Sequence, residues 1–280
     1  MLSNKEKYDK YRPKKFLGQN FLVDNNIAKK IISSLEIKQG DNVMEIGPGQ
    51  GALTKYVVDE DCSYSAVELD KGIYEHLKEE YGDRINLIHS DFLKLGEEVF
   101  AGLAGKSNKL KIIGNIPYNI TSEILFKIFG LREYISEAVM MMQKEVAQRL
   151  TAKPNSKEYG ILAVQTELYS NVKILFNVPP TAFFPKPRVH SSVVKFTLKE
   201  NNGLLKSEDL FKKVVRQSFG QRRKVMSNSL KTLFEESGIA FSDIGFDFSR
   251  RPESLSTGEF IELTNKIYDR LEMKTDGKYR

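Results

Sequence analysis

The chain has 280 residues, 40% of them hydrophobic and 29% charged, which is an ordinary balance for a soluble globular protein with one large and one small domain. No apolar run approaches the ~20 residues that span a membrane, and the N-terminal residues lack the apolar core of a secretory signal. Cys62 is the only cysteine, so an internal disulfide is excluded and a zinc site of the usual spacing is not expected. We therefore expect a cytoplasmic, metal-free protein, and the net charge of +6 mildly favours a polyanionic partner.

From about residue 25 to residue 200, helical and strand patterns alternate. The predicted elements are, in chain order, a helix at 27–35, a strand at 42–46, a helix at 52–58, a strand at 64–68, a helix at 72–80, and strands at 85–89, 111–115 and 138–142. Strands that alternate with helices predict a mostly parallel sheet covered on both faces. Two later strands, 172–178 and 192–198, are joined by a proline-rich loop without a helical pattern, which favours an antiparallel edge.

A second, smaller domain is predicted after the linker signal at residues 201–203. Strand patterns end there, and residues 207–280 have the pattern of several helices. The boundaries we predict are 1–200 for the α/β domain, in which residues 1–24 contribute to a ligand site, and 204–280 for the helical domain. Basic residues are concentrated between 206 and 231, and Arg222, Arg223 and Lys224 follow a predicted helix break. Such a run is usually a solvated face, but in a protein that also has a site for a nucleic-acid base it indicates contacts with nucleic-acid phosphates.

A glycine-rich turn, residues 45–51, follows the first predicted strand. It contains Glu45 and has the spacing G-x-G-x-G at Gly47, Gly49 and Gly51. Dinucleotide sites require G-x-G-x-x-G, and phosphate loops require G-x-x-x-x-G-K-[ST]. The turn therefore indicates a cofactor with no phosphate at this position, and S-adenosylmethionine (SAM) fits, because its amino-acid moiety and sulfonium can lie against an open turn.

Two carboxylates follow the next two strands. Glu68 is placed to accept hydrogen bonds from ribose hydroxyls, as acidic residues at this position do in dinucleotide sites. Asp91 is placed to accept from the adenine amine, with Phe92 as an apolar wall. The alternative for each carboxylate is an N-cap of the next helix. Together with the glycines and with Asn115, which ends a later strand, these residues on successive strand ends favour a cofactor site to which Asn115 also contributes.

A polar segment at residues 15–22 precedes the first helix. Gln19 and Asn20 could hydrogen-bond the methionine end of SAM, and the backbone of Leu22 could close the pocket. The alternative is a capped turn whose phenylalanines, Phe16 and Phe21, pack in the core.

The most informative motif is Asn115, Ile116, Pro117 and Tyr118, at the carboxyl end of the strand at 111–115. The side-chain oxygen of Asn115 and the carbonyl of Ile116 supply two acceptors for an exocyclic amine, because Pro117 holds Ile116 extended. Tyr118 offers a ring on which a base stacks, worth ~1–3 kcal/mol. The alternative is a simple strand-to-helix turn.

The proline-rich loop carries two adjacent aromatic residues, Phe183 and Phe184. One of them could hold the target base against Tyr118, and we predict Phe183 first and Phe184 second. The alternative is that both rings pack in the core beneath the loop.

Taken together, these segments resemble the rRNA adenine dimethyltransferase family over most of the chain. The resemblance rests on residues 16–22, 45–49, Glu68, Asp91, 115–120, 142–146 and 183–192. It implies a seven-stranded Rossmann-like SAM-dependent methyltransferase sheet and a small C-terminal all-helical RNA-recognition domain.

Two branches of that family are distinguished by their substrates. The KsgA branch dimethylates two adjacent adenines near the 3′ end of small-subunit (16S) rRNA, and the Erm branch methylates one large-subunit (23S) adenine and confers macrolide resistance. Ile116 is slightly Erm-like, whereas residues 152–160, 218–224 and 251–255 are similar to KsgA, so the KsgA branch is favoured. The resemblance implies the small ribosomal subunit as partner, and nothing requires more than a monomer.

Three alternative functions share parts of this sequence pattern. A DNA adenine methyltransferase would also use a basic helical domain, so only substrate competition separates it from an RNA enzyme. A ribosome-assembly checkpoint factor would bind the immature small subunit whether or not it methylates. A dehydrogenase is disfavoured by the glycine spacing.

Overall fold

The structure is a computed structural model that describes residues 13–14, 18–105, 108–200 and 203–276. Phe16, most of the predicted N-terminal segment 1–24 and linker residues 201–202 lie outside these described residues.

The chain forms two compact units. Unit 1 comprises residues 1–147 and 169–199, and unit 2 comprises residues 148–168 and 200–280. Residues 148–168, which we had placed in the α/β domain, cluster instead with the helical residues. The reason is visible in the core of unit 2, where Tyr159, Ala163 and Val164 are buried with Phe211 and Phe260.

The described residues of unit 1 form nine strands. They are β1 (Phe21–Leu22), β2 (Asp41–Ile46), β3 (Cys62–Glu68), β4 (Asn86–His89), β5 (Leu110–Asn115), β6 (Ile135–Gln143), β7 (Ser170–Val178), β8 (Phe183–Phe184) and β9 (Ser191–Leu198). Seven of them form one sheet in the order β4-β3-β2-β5-β6-β9-β7, and β1 pairs with β8 in a two-stranded ribbon. The predicted mostly parallel sheet is confirmed: β2 to β6 pair in parallel. The predicted antiparallel edge is confirmed as well, because β9 runs antiparallel to both β6 and β7.

Helices cover this sheet and link the parallel strands. They are α1 (Asn25–Leu35), α2 (Thr54–Val57), α3 (Lys71–Tyr81), α4 (Glu97–Ala104), α5 (Thr121–Gly130) and α6 (Lys144–Leu150), which continues into unit 2. α1 illustrates how the sequence specifies them. Asp24 caps its first turn by accepting from the N–H groups of Asn26 and Ile27, and Ala28, Ile31, Ile32 and Leu35 recur at helical spacing and are buried.

Two of the sheet's neighbouring strands, β2 and β5, mark the point where the strand order reverses. Their middles are apolar and fully buried, as Val43, Met44, Ile112 and Ile113 show. Polar and glycine residues follow where each strand ends. In sheets of this kind ligands bind at the carboxyl ends of the strands on either side of such a reversal.

Unit 2 is helical among its described residues. Its helices are α7 (Ile161–Tyr169), whose last residue belongs to unit 1, α8 (Glu208–Gly220), α9 (Met226–Ser229), α10 (Lys231–Ser237) and α11 (Thr257–Asp276). The amphipathic helix α8 buries Phe211, Val214 and Val215 in a core shared with α11. In the part of the chain that the structure describes, no helix has the length and apolar character needed to cross a membrane.

Candidate active site

Two turns meet at the carboxyl ends of β2 and β5. Ile46 pairs with Gly114 in register, so the glycine turn after β2 and the Asn115 motif after β5 are neighbours. The approach is close at Gly114, where a Cβ atom would lie 2.8 Å from the carbonyl oxygen of Ile46. A larger residue there would push the two turns apart.

The glycine turn is held against the end of β3. Gly47, Gly49 and Gly51 all have positive φ, and a Cβ at Gly49 would lie 3.1 Å from the Phe21 ring. The N–H of Gly49 donates to Glu68 Oε2 at 3.2 Å, and the N–H of Asp70 donates to Oε1 at 2.8 Å. Burial raises the pKa of the Glu68 carboxyl. Each of its oxygens keeps lone pairs for a further donor.

Glu45 lies beneath the same turn. Its Oε2 accepts from Thr54 Oγ1 at 2.9 Å and also from the hydroxyl of Tyr64. Burial raises the pKa of Glu45 from 4.5 to about 7. One oxygen of the Glu45 carboxyl thus accepts both hydrogen bonds. The raised pKa means that this carboxyl takes up a proton at a higher pH than an exposed glutamate does.

Asp91 and Phe92 are placed by a 3₁₀ turn, Phe92–Lys94, after β4. Asp91 Oδ1 accepts from the N–H of Leu93 at 2.9 Å, so Asp91 is the N-cap that the alternative interpretation predicted. Asp91, Phe92 and Leu93 also line the same cavity as the glycine turn. Capping and lining are thus compatible, because one carboxylate oxygen is enough for the cap.

The segment before α1 closes the cavity from the other side. Asn115 Nδ2 donates to the backbone carbonyl of Asn20 at 2.9 Å. A carbonyl only accepts, so this contact fixes which end of the Asn115 amide is the NH₂ group and leaves Oδ1 as its acceptor. The amide of Gln19 is engaged within the protein, since Oε1 accepts from the N–H of Lys14 at 2.8 Å and Nε2 lies 3.4 Å from Asp70 Oδ2.

Tyr118 is held by its hydroxyl. This group lies 2.6 Å from Ser191 Oγ at the start of β9, and burial raises the pKa of Tyr118. Pro117 has φ −59° and ψ 135°, and its carbonyl accepts from Thr121 Oγ1 at 3.2 Å. The second half of the motif is therefore held by β9 and by the first residue of α5.

One cavity brings these residues together. From the predicted set it is lined by Gln19, Asn20, Leu22, Glu45, Gly47, Gly49, Glu68, Asp91, Phe92, Asn115, Ile116, Pro117 and Tyr118. Its described lining contains three carboxylates and no lysine, arginine or histidine. A pyrophosphate would be repelled there, whereas a phosphate-free nucleoside carrying a positive charge is matched in sign. This donor set fits SAM.

Phe183 is absent from this lining. The β1–β8 pairing sets Phe183 opposite Leu22 and Phe184 opposite Phe21, and opposed residues in a ribbon share a face. Phe183 is only 4% exposed and packs in the hydrophobic core, while Phe184 is 45% exposed. Phe183 therefore packs in the core, as the alternative interpretation predicted for it, while our second choice, Phe184, is the accessible ring.

Comparison with known proteins identifies the family. The model for "Ribosomal RNA adenine dimethylase" matches residues 10–269. The chain belongs to this family. A curated relative, ribosomal RNA small subunit methyltransferase A from Francisella tularensis subsp. novicida, is 41% identical over 260 residues, which is 91% of this chain and 98% of the relative. The relative of the same name from Francisella tularensis subsp. tularensis strain SCHU S4 is equally similar, with the same coverage.

Solved structures confirm the fold of this family member. A dimethyladenosine transferase from Plasmodium falciparum aligns with a TM-score of 0.71 at 23% identity and covers 89% of this chain and 98% of its own. The 23S rRNA methyltransferase ErmE aligns with a TM-score of 0.60 at 20% identity, covering 89% of this chain and 100% of its own. The predicted Rossmann-like methyltransferase fold with a C-terminal helical domain is thereby confirmed.

The basic cluster of this dimethylase-family chain lies in unit 2, after α8, and its three members are not equivalent. Arg222 is already engaged: Nε donates to Glu253 Oε2 at 2.8 Å, and its two NH₂ groups donate to the carbonyls of Lys157 at 2.6 Å and Ser156 at 2.9 Å. Arg223 and Lys224 are exposed. The geometry therefore makes Arg222 a residue that ties segments of unit 2 together, unlike the phosphate contact that we predicted.

Sequence reasoning missed several lining residues, among them Leu69, Leu93, Asn119 and Ile124. Leu69 directly follows Glu68, and this position next to a predicted ligand group was a sequence signal that could have identified it. In the structure it is 50% exposed. Ile124 had no comparable signal, because its place depends on how α5 packs. Within the described residues, no group of three or more His, Cys, Asp or Glu side chains is arranged to hold a metal ion.

Proposed function

We propose that this protein is a SAM-dependent methyltransferase that dimethylates N6 of two adjacent adenosines near the 3′ end of small-subunit (16S) rRNA. Membership of the ribosomal RNA adenine dimethylase family and the 41% identity to small-subunit methyltransferases support the reaction and the substrate. Within the site, the observation that carries the proposal is the fixed Asn115 amide, whose oxygen is left as an acceptor at the edge of the cavity.

The cofactor would be held by residues from three strand ends and from the segment before α1. Glu68 would accept from the ribose hydroxyls, Asp91 from the adenine amine, and Phe92 would cover the ring. The glycine turn, Asn20 and the backbone of Leu22 would enclose the methionine end, while Gln19 would act by holding this segment to Asp70. When bound, SAM supplies a methyl group activated by its sulfonium charge.

Asn115 and Ile116 would prepare the target amine. The lone pair of an adenine N6 is delocalised into the ring, so N6 is a poor nucleophile. Asn115 Oδ1 and the carbonyl of Ile116 would accept its two N–H bonds and draw N6 towards a tetrahedral geometry. An N6 that has gained a methyl group is positively charged and acidic, so no strong base is required. Holding the amine in this position would supply much of the rate.

The target adenine would be splayed out of its RNA helix to reach this site. Its ring would stack on Tyr118, whose orientation is fixed by Ser191. Phe184 is the aromatic residue that could cover an RNA base from the loop side, because its ring is exposed. Arg223 and Lys224 would contact phosphates. The protein would act in the cytoplasm, as a monomer, on the small ribosomal subunit.

The test is methyl transfer from labelled SAM to small ribosomal subunits prepared from a strain that lacks this modification, with 23S rRNA in parallel. We expect label in N6,N6-dimethyladenosine near the 3′ end of 16S rRNA. Label confined to 23S rRNA would instead indicate an Erm-type methyltransferase, and preferential transfer to competing DNA would indicate a DNA enzyme. Binding of the particle without transfer would refute the catalytic proposal and favour an assembly factor.

A further inference from the structure

Lys127 lies behind the cofactor side of the cavity. It is on α5, three residues after Ile124, and this spacing places the two side chains on the same side of the helix. Ile124 lines the cavity. Lys127 is not in the lining, but its ammonium group contacts the turn that is.

The ammonium group of Lys127 holds two carbonyls of that turn. Nζ donates to the carbonyl of Leu93 at 2.9 Å and to that of Leu95 at 2.6 Å. It also lies 5.5 Å from the ring centroid of Phe92 and 5.6 Å from that of Phe100, within the range of cation–π attraction. One lysine therefore fixes the carbonyls and the aromatic packing of the 3₁₀ turn together.

The contact reaches Asp91 through Leu93. The carbonyl of Leu93 accepts from Lys127, and the N–H of Leu93 donates to Asp91 Oδ1 at 2.9 Å. Leu93 is thus bonded on both sides of its backbone, and its N–H sets the rotamer of the Asp91 carboxylate. Among the described residues, Leu93 is the one donor to this carboxylate, so the position of Leu93 determines where its second oxygen points.

The ammonium group of Lys127 is partly desolvated, which is energetically unfavourable compared with a solvent-exposed lysine. The side chain is half-buried, and burial lowers its pKa. Desolvating an ammonium group is unfavourable unless its donors are satisfied. The two carbonyls satisfy two of its three N–H bonds, which ties the stability of the charge to the conformation of this turn.

We propose that Lys127 is a positioning residue for the proposed methyl transfer: it fixes the Phe92–Lys94 turn, and through Leu93 the Asp91 carboxylate, and so sets the selectivity of the cavity for the adenine amine. This inference rests on the proposed function, because it takes the adenine of SAM as the group that Asp91 recognises.

The binding of cofactor analogues that cannot react tests this role of Lys127. S-adenosylhomocysteine and S-inosylhomocysteine, in which a carbonyl replaces the adenine amine, are titrated into the full chain by calorimetry. We expect Lys127→Met to weaken S-adenosylhomocysteine binding about tenfold, the scale of one charge-assisted hydrogen bond, and to leave S-inosylhomocysteine binding nearly unchanged. Discrimination between the two ligands should fall by the same factor. The KM for SAM should rise, with kcat at saturating SAM little changed.

Three further variants complete the test. Lys94→Met removes an exposed lysine from the same turn and should change nothing, whereas Lys127→Arg keeps the donors and should restore discrimination. Lys127→Leu, which also lacks a donor, replaces Lys127→Met if the latter loses its cooperative unfolding transition. Unaltered discrimination in the folded, uncharged variant overturns the inference. The proposed function fails separately, if the unsubstituted protein binds neither S-adenosylhomocysteine nor SAM.

Discussion

The amide of Asn115 has an orientation that its surroundings dictate. Nδ2 donates to the carbonyl of Asn20, which leaves Oδ1 as the acceptor that we propose for the substrate amine. We expect Asn115→Ala to lower the single-turnover methylation rate by roughly 10²–10³-fold, as the loss of one well-placed polar group does in other active sites. The affinity for S-adenosylhomocysteine should fall far less. A methylation rate close to that of the unsubstituted protein would remove Asn115 from the chemistry.

The ring and the hydroxyl of Tyr118 make separable contributions. Tyr118→Phe loses the 2.6 Å contact with Ser191 but keeps the stacking surface, so we expect most of the methylation rate to remain. Tyr118→Ala loses stacking worth ~1–3 kcal/mol, and RNA affinity should fall correspondingly. Quenched-flow methylation and filter binding of 16S rRNA measure the two effects. Ser191→Ala is the matched control, since it should resemble Tyr118→Phe; equal losses in Tyr118→Phe and Tyr118→Ala would contradict the stacking role.

Glu45 links the stability of unit 1 to pH. Its pKa is about 7 in the folded protein and 4.5 is its ordinary value, because burial disfavours the charged form. The folded state therefore holds this proton more tightly, so its stabilising contribution is complete below pH 4.5 and is lost as the pH rises to about 7. Glu45→Gln should remove this dependence and raise the unfolding free energy at pH 8, by up to about 3 kcal/mol.

Chemical denaturation at several pH values checks the Glu45 prediction. The amide variant is suitable because Thr54 and Tyr64 both donate to one oxygen, and the carbonyl of a glutamine can accept both. If Glu45→Gln has the same pH dependence as the unsubstituted protein between pH 4.5 and 7, another group is responsible.

Strand ends were enough to predict which residues line the cavity, because parallel strands bring their carboxyl ends to one edge. Glu68, Asp91 and Asn115 were found in this way. Their internal partners were not predictable. The contact between Asn115 and Asn20 joins residues 95 positions apart, and no spacing rule connects a turn after β5 to a segment before α1.

At the level of elements, the two-residue strand β8 separates two adjacent phenylalanines. Phe183 is in the core and Phe184 is 45% exposed. We expect Phe183→Ala to cost roughly 3–5 kcal/mol of stability, the usual loss for a buried ring. Phe184→Ala should leave the melting temperature nearly unchanged and lower the rate of RNA methylation. A calorimetric scan and a methylation assay on both variants distinguish the two roles; a methylation defect confined to folded Phe183→Ala would reverse the assignment.

The same pair shows where pattern reading fails. The strands β2, β3 and β5 were predicted because each contains a pair of adjacent apolar residues in a short segment that ends at turn signals. Alternation in β8 has only two positions, so the sequence contains no indication of which ring points inward. That choice depends on the pairing of β8 with β1, a contact between segments more than 150 residues apart.

At the scale of the whole molecule, the helical unit includes a segment that precedes the predicted boundary near residue 201. Residues 148–168 join it through Tyr159, whose hydroxyl donates to the carbonyl of Leu255 at 2.7 Å. The N–H of Asn155 donates to the carbonyl of Glu253 at 2.8 Å, and Arg222 adds the contacts with Ser156 and Lys157. A linker rule based on composition located the boundary near residue 201. It missed the inclusion of residues 148–168 in the helical unit, because long-range hydrogen bonds leave no local signature in the sequence.

Because Arg222 is engaged within unit 2 while Arg223 and Lys224 are exposed, we expect them to have different functions. The salt dependence of RNA binding can separate these functions. Replacing Arg223 and Lys224 by alanine should weaken binding to 16S rRNA and reduce the slope of log affinity against log salt by roughly 1.5, the value for two lost phosphate contacts. The melting temperature should not change, since both side chains are exposed. Arg222→Ala should instead destabilise the protein, because Glu253 and two carbonyls lose their donors.

A matched control for that pair is the replacement of Lys212 and Lys231 by alanine. It removes the same charge from unit 2, but from lysines beside Asp209 and Glu235. The salt slope of this control should stay close to that of the unsubstituted protein. Equal slopes for the two double variants would mean that RNA responds only to net charge. A reduced slope in folded Arg222→Ala would return Arg222 to the phosphate-contacting set, because tying two backbone segments together releases no counterions.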